Sequence, residues 1–192
     1  LICLLKDKVD LFNVELLRSS TKEYRNKKYY CQKLFNVYVD ILYCCAICNN
    51  VFKTAILFQA VDMLYHNLVG IQILINVCAW LKYNSLPGIA YAVILYAIIW
   101  IVKSLTLQIT LTLQCEKFYI ATEQVNDSCG IILNTRCSVN EKILCKNIKR
   151  HHKASFEKIN ACRLFNVDAS LSFSLISTFT NYTFVLLQFA FL

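Results

Sequence analysis

Residues 169–192 contain no Lys, Arg, Asp or Glu, and this charge-free segment ends the 192-residue chain. As a helix the segment would rise about 36 Å, and a bilayer core of about 30 Å needs about 20 helical residues. The segment therefore predicts a membrane span. At about 100° per residue, five of its polar side chains share an arc of about 60° on one face. These side chains are Ser170, Ser174, Ser177, Asn181 and Gln188.

This polar stripe has two interpretations. Hydrocarbon offers no partner to a polar group, so the stripe faces either another helix or water. In the first interpretation the stripe is a helix-packing face, where small residues allow close approach and hydroxyls bond back to their own helix. In the second, the stripe lines a pore. The pattern of residues alone leaves both open.

Composition restricts the fold class. Apolar residues make up 57% of the chain, the mean hydropathy is +0.48, and there are one Pro and three Gly. Such a chain is too apolar for an ordinary soluble domain and has few turn-forming residues. We therefore predict an all-α transmembrane protein. Because the chain begins with Leu and shows no signal-peptide pattern, we expect it to be a fragment.

The positive charge does not indicate nucleic-acid binding. The formal net charge is +8, and most Lys and Arg lie in residues 1–36 and 114–167. Basic blocks that flank apolar segments are typical of cytoplasmic loops beside a membrane, and no nucleic-acid motif accompanies them. We expect no nucleic-acid partner.

No catalytic residue, metal site or cofactor is predicted. The chain has 11 Cys, mostly in apolar stretches or predicted cytoplasmic loops, so we expect free thiols. Cys45 and Cys48 have metal-ligand spacing, but no second pair follows at a zinc-finger distance. The predicted spans carry no paired acids, His cluster or activated nucleophile, so we expect that the protein is not an enzyme.

Charge-poor segments and the positive-inside rule together predict a topology with a cytoplasmic N-terminal segment and an extracellular C-terminus. The predicted spans are residues 56–82, 89–113 and 166–192. The remaining segments are a cytoplasmic helical segment (1–55), a short extracellular loop (83–88) and a basic cytoplasmic loop with an amphipathic helix (114–165). Sequons at Asn126 and Asn181 should carry no sugar in this topology.

Helical periodicity continues outside the spans. One apolar face is predicted from Leu34, Val37, Tyr38, Ile41, Leu42 and Cys45. A basic amphipathic helix is predicted over residues 141–161, either lying on anionic lipid or packed in an intracellular domain, with His151 and His152 on its solvated face.

Asp62 and His66 lie one turn apart in the first span. They are either an interfacial carboxylate with a neighbouring imidazole or a buried pair that tunes a conformational equilibrium.

The end of the last span resembles a known signature. Tyr182, five intervening residues, Gln188 and Phe189 resemble the terminal signature of the insect gustatory receptors, Thr-Tyr followed by five hydrophobic residues and Gln-Phe. Asn181 stands where the family usually has Thr, and Thr183 opens the hydrophobic five. Residues 161–171 resemble the family's approach to its seventh span, and residues 48–57 resemble its looser approach to the fifth. The chain thus resembles spans five to seven of a seven-span insect chemoreceptor.

The resemblance implies a tastant-gated, non-selective cation channel of the plasma membrane. Its subunits would form a homo- or heterotetramer in the bilayer, with the seventh helices around one pore and the cytoplasmic helices as the intersubunit anchor. Phe184 and Val185 would form a hydrophobic gate that closes by dewetting, with Gln188 at the outer mouth. The implied pore-lining residues are Ser170, Ser174, Ser177, Asn181, Phe184, Val185 and Gln188.

The resemblance also implies a tastant pocket in the outer half of the helical bundle. The candidate pocket residues are Gln72, Asn76, Tyr96 and Trp100, since aromatic rings with a few polar groups suit a small amphipathic ligand. Trp80, Tyr83 and Tyr91 fit an aromatic belt at the membrane surface equally well. Two other functions remain open, an insect odorant receptor subunit and a fragment of an unrelated multi-span transporter.

Overall fold

A computed structural model describes residues 1–21, 27–81, 87–135 and 137–191 of the chain. The described chain is all-α apart from one small hairpin. Its elements, in chain order, are α1 (Ile2–Thr21), α2 (Lys27–Leu81), α3 (Pro87–Asn134), α4 (Val139–Ser155), β1 (Asn160–Ala161), β2 (Phe165–Asn166) and α5 (Ala169–Phe191).

Three helices, α2, α3 and α5, are long and apolar enough to cross a membrane. Two of them are much longer than a bilayer requires. The 55 residues of α2 rise about 82 Å and the 48 residues of α3 about 72 Å, whereas a bilayer core is about 30 Å thick. The predicted boundaries at residues 55/56 and 113/114 therefore fall inside continuous helices. Most of the predicted loop, residues 83–86, lies outside the described residues, and α3 begins at Pro87 because proline suits a first helical turn.

The chain forms two compact units. Unit 1 contains residues Leu1–Phe52 and Gln114–Asn160, and unit 2 contains Lys53–Leu113 and Ala161–Leu192. In unit 1, α1 buries Val9, Phe12 and Leu16 on one face, and the rings of Phe12 and Tyr38 lie 5.3 Å apart. Of the six predicted apolar-face positions, all but Val37 are buried. Val37 is exposed because it lies at the edge of the apolar arc.

A capping box starts α4. Ser138 Oγ accepts from the Glu141 amide at 3.4 Å, while Glu141 Oε2 accepts from the Ser138 amide at 2.6 Å. Lys27 Nζ lies 3.1 Å from Glu141 Oε1 and forms an ion pair with it. Burial would raise the pKa of the Glu141 carboxyl, but the Ser138 hydrogen bonds and the charge of Lys27 outweigh it and lower this pKa. The ion pair between Lys27 and Glu141 thereby connects the start of α2 to the start of α4.

The predicted helix over residues 141–161 was wrong in its last part, because α4 ends at Ser155. Phe156 takes the extended conformation (φ −83°, ψ 120°), and its ring stacks on His152 with centroids 4.7 Å apart. Three residues later, the Ile159 amide donates to Tyr119 Oη at 2.9 Å. Contacts with α3 thus replace the hydrogen bonds of a further helical turn.

His152 is half-buried within unit 1, so its expected place on a solvated face was wrong. Its side chain is 12% exposed, and Nδ1 lies 2.7 Å from Tyr38 Oη. Nε2 lies 3.8 Å from Glu123 Oε2. Burial lowers the pKa of His152, and the opposing effect of Glu123 is smaller. His152 lies one turn after the fully buried Ile148, so the apolar face of α4 carries the imidazole inward.

Unit 2 brings α2, α3 and α5 together. A Cβ added at Gly70 of α2 would lie 3.3 Å from Ile101 Cδ1 of α3, so glycine permits a close approach of these helices. The hydroxyl oxygens of Thr112 in α3 and Ser172 in α5 lie 2.5 Å apart in a buried hydrogen bond. These contacts fix the face that α5 presents to the rest of the unit.

Candidate pore face and ligand groove

A tight turn and a capping aspartate set the start of α5. Cys162 and Arg163 have φ values of 52° and 62°, and the Leu164 amide donates to the Ala161 carbonyl at 2.9 Å. After β2, Asp168 Oδ1 accepts from the backbone amide of Ser170 at 3.1 Å and from its hydroxyl at 2.6 Å. Such side-chain capping stabilises a helix start. The helix α5 starts at Ala169, three residues after the predicted start of the span, and residue 166 belongs to β2.

One face of α5 packs within unit 2. Leu171, Ser172 and Leu175 are buried, and further positions along the same face are half-buried. The half-buried positions are Phe179, Thr183, Leu186 and Leu187. At about 100° per residue these seven residues occupy one arc, centred about 180° from Ser170.

The polar stripe lies on the opposite face. All seven predicted pore-lining residues are exposed: Ser170, Ser174, Ser177, Asn181, Phe184, Val185 and Gln188. The gate residues Phe184 and Val185 are 62% and 44% exposed. The stripe therefore faces away from the α2 and α3 segments of its own unit. Helix packing against those segments is excluded, whereas packing against another molecule remains compatible with this exposure.

Back-bonding to the helix involves threonines outside the stripe. The hydroxyls of Thr178, Thr180 and Thr183 donate to carbonyls four residues earlier at 2.8–2.9 Å. Such bonds satisfy a hydroxyl within its own helix. The amides of Asn181 and Gln188 instead extend from the exposed arc. These two stripe positions offer amide groups to water, to an ion or to another chain.

The candidate pocket residues separate into two groups. Tyr96 and Trp100, with ring centroids 6.2 Å apart, line a groove of about 240 Å³ between α2 and α3. Gln72 and Asn76 lie outside this lining and form a 3.2 Å hydrogen bond with each other. His66 also lines the groove, with its ring centroid 5.8 Å from that of Trp100. In the sequence, the four-residue spacing between Asp62 and His66 was the feature that singled out His66.

The buried-pair interpretation of Asp62 and His66 was wrong. Asp62 Oδ1 lies 3.2 Å from His66 Nε2, but the side chains are 70% and 43% exposed. Two other polar residues are buried instead. Asn67 and Gln108 are 0% and 3% exposed, and neither Asn67 amide atom nor Gln108 Nε2 has a hydrogen-bond partner among the described residues. In the sequence, Asn67 and Gln108 could have been noticed as amide residues within otherwise apolar segments.

Comparison of the sequence with known proteins identifies no relative. No protein-family model matches the sequence, and a search of curated proteins finds no significant match. Within the described ranges, no group of three His, Cys, Asp or Glu residues is placed to hold a metal ion, and the cysteines are free thiols. The fold defines a class, an all-α chain with three helices able to cross a membrane, which fits a membrane-associated protein.

Proposed function

We propose that the chain is a subunit of a gustatory receptor, a tastant-gated, non-selective cation channel of the plasma membrane. The observation that carries the proposal is the exposure of the whole α5 stripe opposite the packed face of the same helix. A polar face directed away from its own bundle requires water or another chain, because lipid satisfies no polar group. The terminal signature around Gln188 supports the same class.

The proposed pore is formed by the α5 helices of four subunits, identical or different. Rings of Ser170, Ser174, Ser177 and Asn181 would supply oxygen atoms that replace part of the water around a passing cation. An apolar ring of Phe184 would close the narrow pore by dewetting. Opening would widen or rotate this ring, so a tastant that binds the open state more tightly would favour conduction.

The groove between α2 and α3 supports a small-ligand site. Tyr96 and Trp100 offer apolar faces, while His66 offers a ring nitrogen at the same groove. Its volume of about 240 Å³ is below the roughly 300–1,000 Å³ of pockets that enclose a drug-sized molecule. The groove would therefore hold a small tastant, or one part of a larger tastant that contacts further helices of the receptor.

Charge supports the proposed orientation. Basic residues are concentrated in residues 1–36 and 114–167, and most of these residues belong to unit 1. By the positive-inside rule, unit 1 would be cytoplasmic and the C-terminal end of α5 extracellular. Other subunits and the bilayer are then the partners.

The pore assignment is tested by recording currents from cells that express the full-length receptor containing this chain. Phe184→Ala removes most of the apolar gate, so we expect a cation leak without tastant, and Gln188→Ala should alter permeation at the outer mouth. Ile176→Ala is the matched control, because Ile176 is an exposed apolar residue about 120° around α5 from Ser170. Wild-type gating and permeation in both stripe variants would refute the pore assignment.

A further inference from the structure

Helix α4 carries a basic surface on the side away from its buried residues. Leu144, Cys145 and Ile148 are buried within unit 1. At about 100° per residue, five exposed basic side chains lie within an arc of about 100° on the other side of the helix, and they extend about 16 Å along its axis. These residues, named here the basic face, are Lys142, Lys146, Lys149, Arg150 and Lys153.

The basic face has no counter-charge within the described ranges. Glu141 is the only acidic residue of α4, and its carboxylate is buried beside Lys27. None of the five basic residues forms an ion pair with another described residue. Residues three or four positions apart are neighbours on a helix surface, so these like charges repel one another. A negatively charged partner would relieve this repulsion.

A groove beside the basic face adds apolar and amide groups. It lies between the start of α2 and α4, with a volume of about 310 Å³. Its apolar lining includes Phe35 and Ile143, and Ile143 is 53% exposed. Three amide side chains also line it, those of Gln32, Asn140 and Asn147. An amide offers both a donor and an acceptor, so the groove can bind a peptide backbone as well as an apolar side chain.

The groove and the basic face form one continuous surface. Ile143 and Lys146 are three positions apart on α4 and are therefore neighbours on the helix surface. Lys28 lines the opposite, α2 side of the groove. Positive charge thus flanks an apolar groove on both sides, and this combination is complementary to an apolar side chain that lies between acidic ones.

The position of α4 disfavours a lipid surface as the partner. Lys27 pairs with Glu141, and Tyr38 Oη lies 2.7 Å from His152 Nδ1, so α4 runs alongside the first part of α2. From Tyr38, α2 continues for about 22 Å to Lys53, and the segment predicted to span the membrane follows. This distance exceeds the reach of a lysine side chain. A partner in solution is therefore favoured.

We propose that the basic face and the adjoining groove bind a partner protein through an acidic segment that carries one large apolar side chain. The acidic side chains pair with the basic face, the apolar side chain packs against Phe35 and Ile143, and the groove amides bond to the backbone of the segment. The volume of about 310 Å³ accommodates one such side chain with its backbone. The surface lies outside the proposed pore and tastant groove, so the proposal does not depend on the channel function.

Fluorescence anisotropy with labelled peptides tests the surface in the purified full-length protein. The probe is a short peptide of Asp and Glu with one central Trp. One matched peptide replaces the Trp with Ala, and a second replaces the acidic residues with Asn and Gln. We expect each replacement to weaken binding about tenfold, because the first removes a buried ring and the second removes the charge pairing.

Two variants of the protein test the two parts of the surface. Lys146→Glu should weaken binding of the Trp peptide about tenfold, and Ile143→Ala about fivefold. Both side chains are exposed, so we expect these variants to keep the fold. The matched controls are Lys117→Glu and Ile131→Ala, which make the same changes at exposed positions of α3 outside the groove lining and should bind as wild type does.

Three results would overturn the proposal. The first is equal affinity of the Trp peptide for wild type, Lys146→Glu and Ile143→Ala. The second is equal binding of the acidic peptides with Trp and with Ala, which would indicate attraction by charge alone. The third is tighter binding of single-stranded RNA or of vesicles containing phosphatidylserine than of the Trp peptide. The assay measures no current, so its failure is distinct from failure of the channel proposal.

Discussion

Thr112 Oγ1 and Ser172 Oγ lie 2.5 Å apart at a buried contact between α3 and the first turn of α5. Thr112 Oγ1 also lies 3.0 Å from the Ile109 carbonyl and 3.2 Å from the Gln108 carbonyl, which are acceptors only. Because these carbonyls can only accept, we assign the single proton of Thr112 to the backbone and the proton of Ser172 to Thr112 Oγ1. This contact fixes the packed face of α5, and the polar stripe consequently points outward.

This assignment predicts an asymmetric mutational effect. Thr112→Val leaves the buried Ser172 hydroxyl without its acceptor and should lower the free energy of unfolding by about 1–3 kcal/mol. Ser172→Ala leaves Thr112 bonded to its own helix and should cost less. In the double variant no donor is stranded, so its cost should be below the sum of the single costs. Thermal unfolding of detergent-solubilised protein measures these differences, and equal costs with strict additivity would contradict the assignment.

Unit 1 should lose stability in mild acid because of His152. Burial lowers the pKa of its imidazole in the folded state, so the unfolded chain takes up a proton first as pH falls. Stability is therefore full above the unfolded pKa of about 6.5 and declines as pH falls toward the lower folded value. The unfolding midpoint, measured from pH 8 to pH 5, should fall over this window. His152→Gln should flatten the decline, whereas the matched change His151→Gln should leave it in place.

The turn before α5 should be stabilised by glycine. Arg163 has a positive φ of 62°, where a Cβ atom costs about 1–2 kcal/mol. Comparing Arg163→Gly with Arg163→Ala isolates this cost, because both variants remove the same side-chain contacts. We expect the glycine variant to have the higher unfolding free energy, by about 1 kcal/mol after allowance for the flexibility of glycine in the unfolded chain. A more stable alanine variant would contradict the left-handed turn.

Glycosylation mapping should test the proposed extracellular position of the C-terminal end. Asn126 donates from Nδ2 to Glu123 Oε1 at 2.9 Å within α3, and Ser128 of the same sequon is buried. This sequon should therefore remain unmodified on either side of the membrane. A sequon placed on a flexible C-terminal extension should be glycosylated, since that end is proposed to be extracellular. An extension that gains no glycosidase-sensitive mass shift in cells would contradict the orientation.

Local patterns predicted the helical class and the apolar positions of unit 1, because periodicity and composition act over a few turns. These local patterns did not predict the end of α4, because that end depends on contacts of Phe156 and Ile159 with α3. Burial of His152 likewise depends on Tyr38, 114 residues earlier in the chain. For α5, periodicity predicted one polar arc, but the direction of that arc depends on contacts such as Thr112 with Ser172.

The two faces of α5 consist of separate sets of residues. Substitutions at Leu171, Ser172 or Leu175 alter contacts within unit 2, whereas substitutions on the exposed arc leave those contacts intact. Natural variation in this helix should therefore divide into two classes, one limited by folding and one limited only by whatever meets the outer face.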